Sequence, residues 1–294
     1  MKETARNVWC WTLFGVFCIV ASSWWIVGEA WPESDRMFTL AAKVWACGIG
    51  AVAASAVAVV RRRAVPGVRC VLRLSAVGAA FLALSSLGAV VGGVAARPVN
   101  VAVALCFVPI IVAVMCGVWG EGPLEFWPGL VGLGGSLLIF PVSPRMGVAA
   151  YVGLLAPPFS MAAACVACRR VARGVAMEWA VALMFIGGEA GLAVMEFARK
   201  ILGGAAAQSF SPLAVAVDLF LASMAVVLVL LMDVRRYVSQ YFIVPVVTVL
   251  EGVVLLRVAL PLRLCAGMIL MGVAAFALLR RQRTANGTSV LRLR

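Results

Sequence analysis

Histidine does not occur anywhere in the 294 residues, and acidic residues number only 12. The first absence removes imidazole as metal ligand, general base and triad member, so histidine-built zinc sites and serine–histidine hydrolysis have nothing to stand on. Charge of either sign is scarce: 13% of residues carry it, against about 25% in soluble domains. The phosphate-cradling pattern G-x-x-x-x-G-K-[ST] is missing too, which excludes nucleotide hydrolysis on such a loop. No long polar stretch separates the apolar ones, so no soluble domain is inserted.

What fills the chain is apolar surface. Hydrophobic residues make up 64% of it, with a mean hydropathy of +1.08. Runs long enough to cross a bilayer, about 17–25 residues each, recur from end to end. A helix satisfies its own backbone inside lipid, and the reading is an all-α membrane protein. The first run, "VWCWTLFGVFCIVASSWWIV", is too long for a signal-peptide core and lacks a small-residue cleavage site, so it reads as the first span. Nine cysteines are scattered singly. Cys165 and Cys168 form a C-x-x-C at the end of an apolar run without a βαβ context, and packing is the better reading than redox or zinc. No cofactor and no metal are expected.

Charged and Pro/Gly punctuation separates ten expected spans: 8–30, 37–60, 71–94, 99–119, 124–142, 149–167, 177–197, 212–232, 237–256 and 262–279. The net charge of +13 sits in short clusters between them, among them Arg61-Arg62-Arg63, Arg169-Arg170, Arg235-Arg236 and Arg280-Arg281. That is a topology signal and not a nucleic-acid face. Placing these clusters inside puts both termini in the cytoplasm, and the basic segment 281–294 becomes a cytoplasmic tail, where the Asn286-Gly287-Thr288 sequon is accidental. Membrane lipids are the expected surroundings. Glu29, Glu33 and Asp35 read as a solvated loop. "VWGEGPLEFWPGL", with Glu121 and Glu125, reads as a hairpin and not as a catalytic loop.

Segments in the two halves echo each other. Pro123 matches Pro261, Gly129 matches Gly267 and Gly134 matches Gly272, all at a spacing of 138 residues; Pro109 and Pro245 match at 136. Each half then holds five spans, residues 1–146 and 147–280. Five is odd, so the second half lies inverted relative to the first. Inverted repeats are typical of secondary transporters, with substrate bound near the midplane between the halves.

The stretches "ALCFVPIIVAVMCGVWGEGPLEFWPGLVGLGGSLLIF" and "SQYFIVPVVTVLEGVVLLRVALPLRLCAGMILMGVAAFALLRR" resemble the EamA-type drug/metabolite transporters. Within that superfamily, "QYFIVPVVTVLEGVVLL", "FWPGLVG" and "CRRVARG" are most similar to the bacterial aromatic amino acid exporters. The resemblance implies a multi-pass inner-membrane carrier for small metabolites. The sequence departs from the pattern at the final hairpin, where Ala259 stands in place of the usual acid and Glu251 lies deeper.

Two signals mark candidate functional residues. First, Ser22, Trp24 and Trp25 in span 1 lie opposite Phe159 and Ser160 in span 6 at the repeat spacing, and Pro157-Pro158 precede the latter. Pro158 lacks a backbone donor, Pro157 faces the same loss, and a helix break at matching positions points to a binding site. Trp24 and Trp25 also fit interface anchoring. Tyr241, with Asn100, Ser239 and Gln240, is available to hydrogen-bond substrate, though capping explains these equally well. Second, Lys43, Glu189, Asp218 and Glu251 lie inside spans, where each charge costs at least ~2.5 kcal/mol on insertion scales. A carboxyl among them suits proton coupling; the plain alternative is helix pairing, with Lys43 snorkelling.

The expected function is export of small metabolites, aromatic amino acids foremost, by alternating access, without enzymatic activity. The alternatives are a structural or sensory membrane protein, or a carrier for another amphipathic metabolite or drug.

Overall fold

The computed structural model describes residues 2–30, 40–87, 98–119, 125–140, 148–201, 211–257 and 260–280. Glu33, Asp35, Glu121, Pro123, Ala259, the 146/147 division and the tail 281–294 with its sequon lie outside these residues. So do the side chains of Trp25 and Glu29.

Among the described residues every regular element is a helix. In chain order they are α1 Lys2–Ala30, α2 Leu40–Val60, α3 Val68–Gly78, α4 Pro98–Leu105, α5 Val108–Val118, α6 Trp127–Ile139, α7 Val148–Val171, α8 Met177–Ile201, α9 Pro212–Leu231, α10 Val234–Val238, α11 Gln240–Leu256 and α12 Leu262–Leu279. α3 continues through a π turn at Ala79–Ala83 and a 3-10 turn at Leu84–Ser86. Nine of the resulting segments are long and apolar enough to cross a membrane; the tenth expected, around α6, is a helix of 13 residues. The chain is a multi-pass, all-α membrane protein.

Prolines decide where helices bend. Pro109 has no N–H for the Leu105 carbonyl, and the chain turns at Cys106–Phe107, between α4 and α5. The turn is closed by Cys106 N–H to Val103 O and Phe107 N–H to Ala104 O. Pro245 sits inside α11 and frees the Tyr241 carbonyl in the same way. Cys106 answers it: its Sγ lies 3.3 Å from Tyr241 O. α7 behaves differently. It continues as one helix through Pro157 and Pro158, and the break expected there is absent. Neighbouring helices can re-satisfy the carbonyls that such prolines release.

Contact between helices is closest where side chains vanish. An added Cβ at Gly187 of α8 would run into the Ser75 carbonyl of α3, and one at Gly78 of α3 into the Met184 backbone of α8. α6 pairs with α12, α2 with α8, α1 with α11 and α9, α9 with α2, and α5 with α7.

The two ends of the bundle differ. At the end where α1 begins, Glu178 in the first turn of α8 accepts from Arg61 at 2.9 Å and faces Arg63 at 3.4 Å. The Trp179 indole donates to Arg63 O at 3.2 Å. Arg170 caps Trp119 of α5, its guanidinium 5.3 Å from the ring centroid. The interior of that half is largely aromatic, with Phe14, Phe17, Phe81, Tyr237 and Tyr241, and buries Ser239 and Gln240 beside them. The intramembrane charges gather in the opposite half.

Candidate functional site

Glu251 lies one turn and a half from the end of α11, and α1 packs along that helix. Its carboxylate accepts from Ser22 Oγ at 2.9 Å and from Ser23 Oγ at 3.1 Å. Ser22 is fully buried. Thr248, one turn before Glu251 on the same face, has its hydroxyl 3.1 Å from Ser22 Oγ and 2.9 Å from Val244 O. One carboxylate and three hydroxyls thus clasp α1 to α11. A carboxylate in an apolar bundle is tolerable because these donors replace water.

A second group lies among α2, α3, α8 and α9. Lys43, in the first turn of α2, donates from Nζ to Ser86 Oγ at 3.0 Å. Ser86 ends the 3-10 turn that follows the π turn, and a π turn shifts the helical register of what comes after it. Asp218 lies on α9, which packs against α2, and the neighbours of the two charges, Ala42 and Val217, share one cluster with Trp24. Glu189 stands against the bare backbone of Gly48, one turn along from Lys43: a Cβ there would be 2.9 Å from its Oε1. Asp218 Oδ2 is buried with no hydrogen-bond partner among the described residues. Trp24 joins the two groups, buried on α1 against Ala42 of α2 and Ala214 of α9.

Of the residues expected from sequence, the fold therefore brings Ser22, Trp24, Lys43, Glu189, Asp218 and Glu251 into one half of the bundle. It places three others elsewhere. Phe159 is 57% exposed on α7, apart from the polar cluster. Ser160 donates to the Pro157 carbonyl at 2.9 Å, serving its own helix. Tyr241 is buried in the other half, its hydroxyl 3.5 Å from Met161 Sδ. Trp25 belongs to α1, with its side chain outside the described set. Asn100, Ser239 and Gln240 are buried, and Ser239 donates to Arg236 O at 2.7 Å.

Sequence reasoning missed Ser23, Thr248 and Ser86. Ser23 and Thr248 carried a signal: one is adjacent to Ser22, the other precedes Glu251 at the i, i+3 spacing that shares a helix face. Ser86 carried none, because its approach to Lys43 depends on the π turn. Among the described residues, no group of three or more Cys, Asp or Glu is arranged to hold a metal ion. The site offers fixed charges of both signs, hydroxyl donors and an indole, which suits binding of a polar molecule within an apolar bundle.

No family model matches the chain, and no curated protein matches it. Among solved structures, one described only as the crystal structure of a protein superposes with a TM-score of 0.61 at 18% identity, over 89% of this chain and 96% of its own. At that identity the likeness is one of fold.

Proposed function

We propose that the chain is a secondary transporter exporting small metabolites, aromatic amino acids foremost, by alternating access across a bacterial inner membrane. The observation that carries this reading is the concentration of Lys43, Glu189, Asp218 and the clasped Glu251 in one half of an otherwise apolar bundle. Ionisable groups at such depth are costly and mark substrate or ion paths. The opposite half packs Phe14, Phe17, Phe81, Tyr237 and Tyr241 into one buried cluster, an arrangement suited to a carrier closed on one side.

The architecture belonging to this reading is ten spans in two inverted five-span repeats, with both termini cytoplasmic. The helix neighbours support it. α1 packs on α11, and their counterparts α7 and α5 pack likewise; α2 packs on α9 as α8 packs on α3. The pairs α2–α8 and α6–α12 join counterpart to counterpart, as helices beside a two-fold pseudo-axis must. Membership of the EamA-type drug/metabolite superfamily fits the same arrangement. The cluster holds charges and hydroxyls without a nucleophile–base pair, so binding and movement suit it better than catalysis.

Glu251 is the coupling group in this scheme. Protonation turns one of its acceptor oxygens into a donor, so Ser22 and Ser23 lose part of what holds α1 to α11. Proton uptake would then free the two helices to separate.

The test is counterflow of labelled aromatic amino acids in proteoliposomes containing the full chain. Uptake driven by preloaded unlabelled amino acid is the expected result. Absence of flux for every amino acid tried would sink the substrate class, and flux of an unrelated amphipathic drug would then identify the alternative cargo.

A further inference from the structure

Lys43 and Asp218 carry opposite charges on packed helices, and the residues next to them, Ala42 and Val217, meet in one cluster with Trp24. Among the described residues they form no direct ion pair. The lysine ammonium gives its hydrogen bond to Ser86, and one aspartate oxygen is buried without a donor. Opposite charges inside a membrane protein are ordinarily paired with one another, so two left apart invite a dipolar molecule between them. Apolar surface adjoins both. Ala42 beside Lys43 and Val217 beside Asp218 pack against Trp24, and an indole suits an aromatic or aliphatic side chain.

We infer that Lys43 and Asp218 divide a zwitterionic substrate between them, Lys43 taking its carboxylate and Asp218 its ammonium group, with Trp24 walling the side chain. The assignment rests on the transporter reading above and deepens it. It also explains selectivity. A lone carboxylate would gain Lys43 but meet Asp218 and Glu189, while a lone ammonium would gain Asp218 but meet Lys43. Only a molecule with both charges satisfies both partners, and rejection of the others comes from repulsion and unpaired charge. Glu189, seated on Gly48 near Lys43, balances the lysine when the site is empty.

Counterflow of labelled L-phenylalanine in proteoliposomes, competed by phenethylamine and by 3-phenylpropionate, tests the assignment. These compounds lack the carboxylate and the amine respectively. Neither analogue is expected to compete well against the wild type. Lys43→Gln and Asp218→Asn should each lower phenylalanine flux roughly thirtyfold or more, as loss of one buried charged partner does. Lys43→Gln should also raise relative competition by phenethylamine, and Asp218→Asn by 3-phenylpropionate. An unchanged order of competition in both variants would overturn the assignment while leaving the carrier intact.

Thermal unfolding of the purified wild type in detergent provides a readout that needs no variant to fold. L-phenylalanine should raise the midpoint and the two analogues should not; equal stabilisation by either analogue overturns the assignment. No wild-type counterflow together with stabilisation by L-phenylalanine alone would reject transport and retain the zwitterion site. Neither flux nor stabilisation would reject both.

Discussion

Cys106 is small, apolar in habit and buried, yet it answers a polar need. Pro245 leaves the Tyr241 carbonyl without its helical donor, and the cysteine thiol at the α4–α5 turn approaches it at 3.3 Å. Replacing it by alanine strands that carbonyl, a loss of about 1–3 kcal/mol, and should lower the thermal unfolding midpoint in detergent. Cys106→Ser keeps a donor and should recover most of the loss. Glu251 predicts a different signature, because a glutamine there stands permanently in for the protonated state. Glu251→Gln should abolish pH-driven net transport while exchange at equal pH persists; transport with wild-type pH dependence would remove Glu251 from the coupling. At this scale the sequence disclosed the costly residues but not their partners. Intramembrane charges stand out because the bilayer penalises each one, whereas the Ser22–Glu251 contact joins positions 229 residues apart. Phe159 shows a related limit: an aromatic ring is equally at home in a cavity and in lipid, so its sidedness leaves no trace in composition.

The α3–α8 contact depends on glycine as a spacer. With Gly187 against Ser75 O and Gly78 against the Met184 backbone, the helices meet backbone to backbone, as small residues allow in membranes. Gly187→Ala must push α8 away and should cost about 1–3 kcal/mol by overpacking, read as a lowered unfolding midpoint. Because α3 delivers Ser86 to Lys43, the same variant should also weaken substrate flux. Span positions were legible, since the bilayer demands long apolar runs and charges interrupt them. Local irregularities were less so. Pro109 signalled the α4–α5 turn, but Pro157 and Pro158 left α7 continuous, because a helix in a bundle can take help from its neighbours. The π turn at Ala79–Ala83 had no sequence signal: "AAFLA" carries no residue that marks a widened turn, and the segment packs against α8.

For the whole molecule, sequence gave the all-α membrane class and most of the spans through a single physical cause, the absence of water in the bilayer core. The grouping of charges in one half needed three dimensions. It arises from which helices meet, and helix partners follow from small-residue faces spread along the entire chain. α6 adds a consequence of its own. Its 13 residues extend about 20 Å at ~1.5 Å per residue, against a hydrocarbon core of ~30 Å. Its partner α12 has 18 residues, about 27 Å by the same rise, and nearly matches the core. A helix as short as α6 thins the bilayer around it, at a fraction of a kcal/mol per Å. The protein should therefore be more heat-stable in vesicles of short-chain phosphatidylcholine than in long-chain ones, with Phe126 and Trp127 at the start of α6 sinking with the headgroups. Acyl-chain length becomes a control on the protein's stability, and membrane thickness a means of sorting it to the membrane it suits.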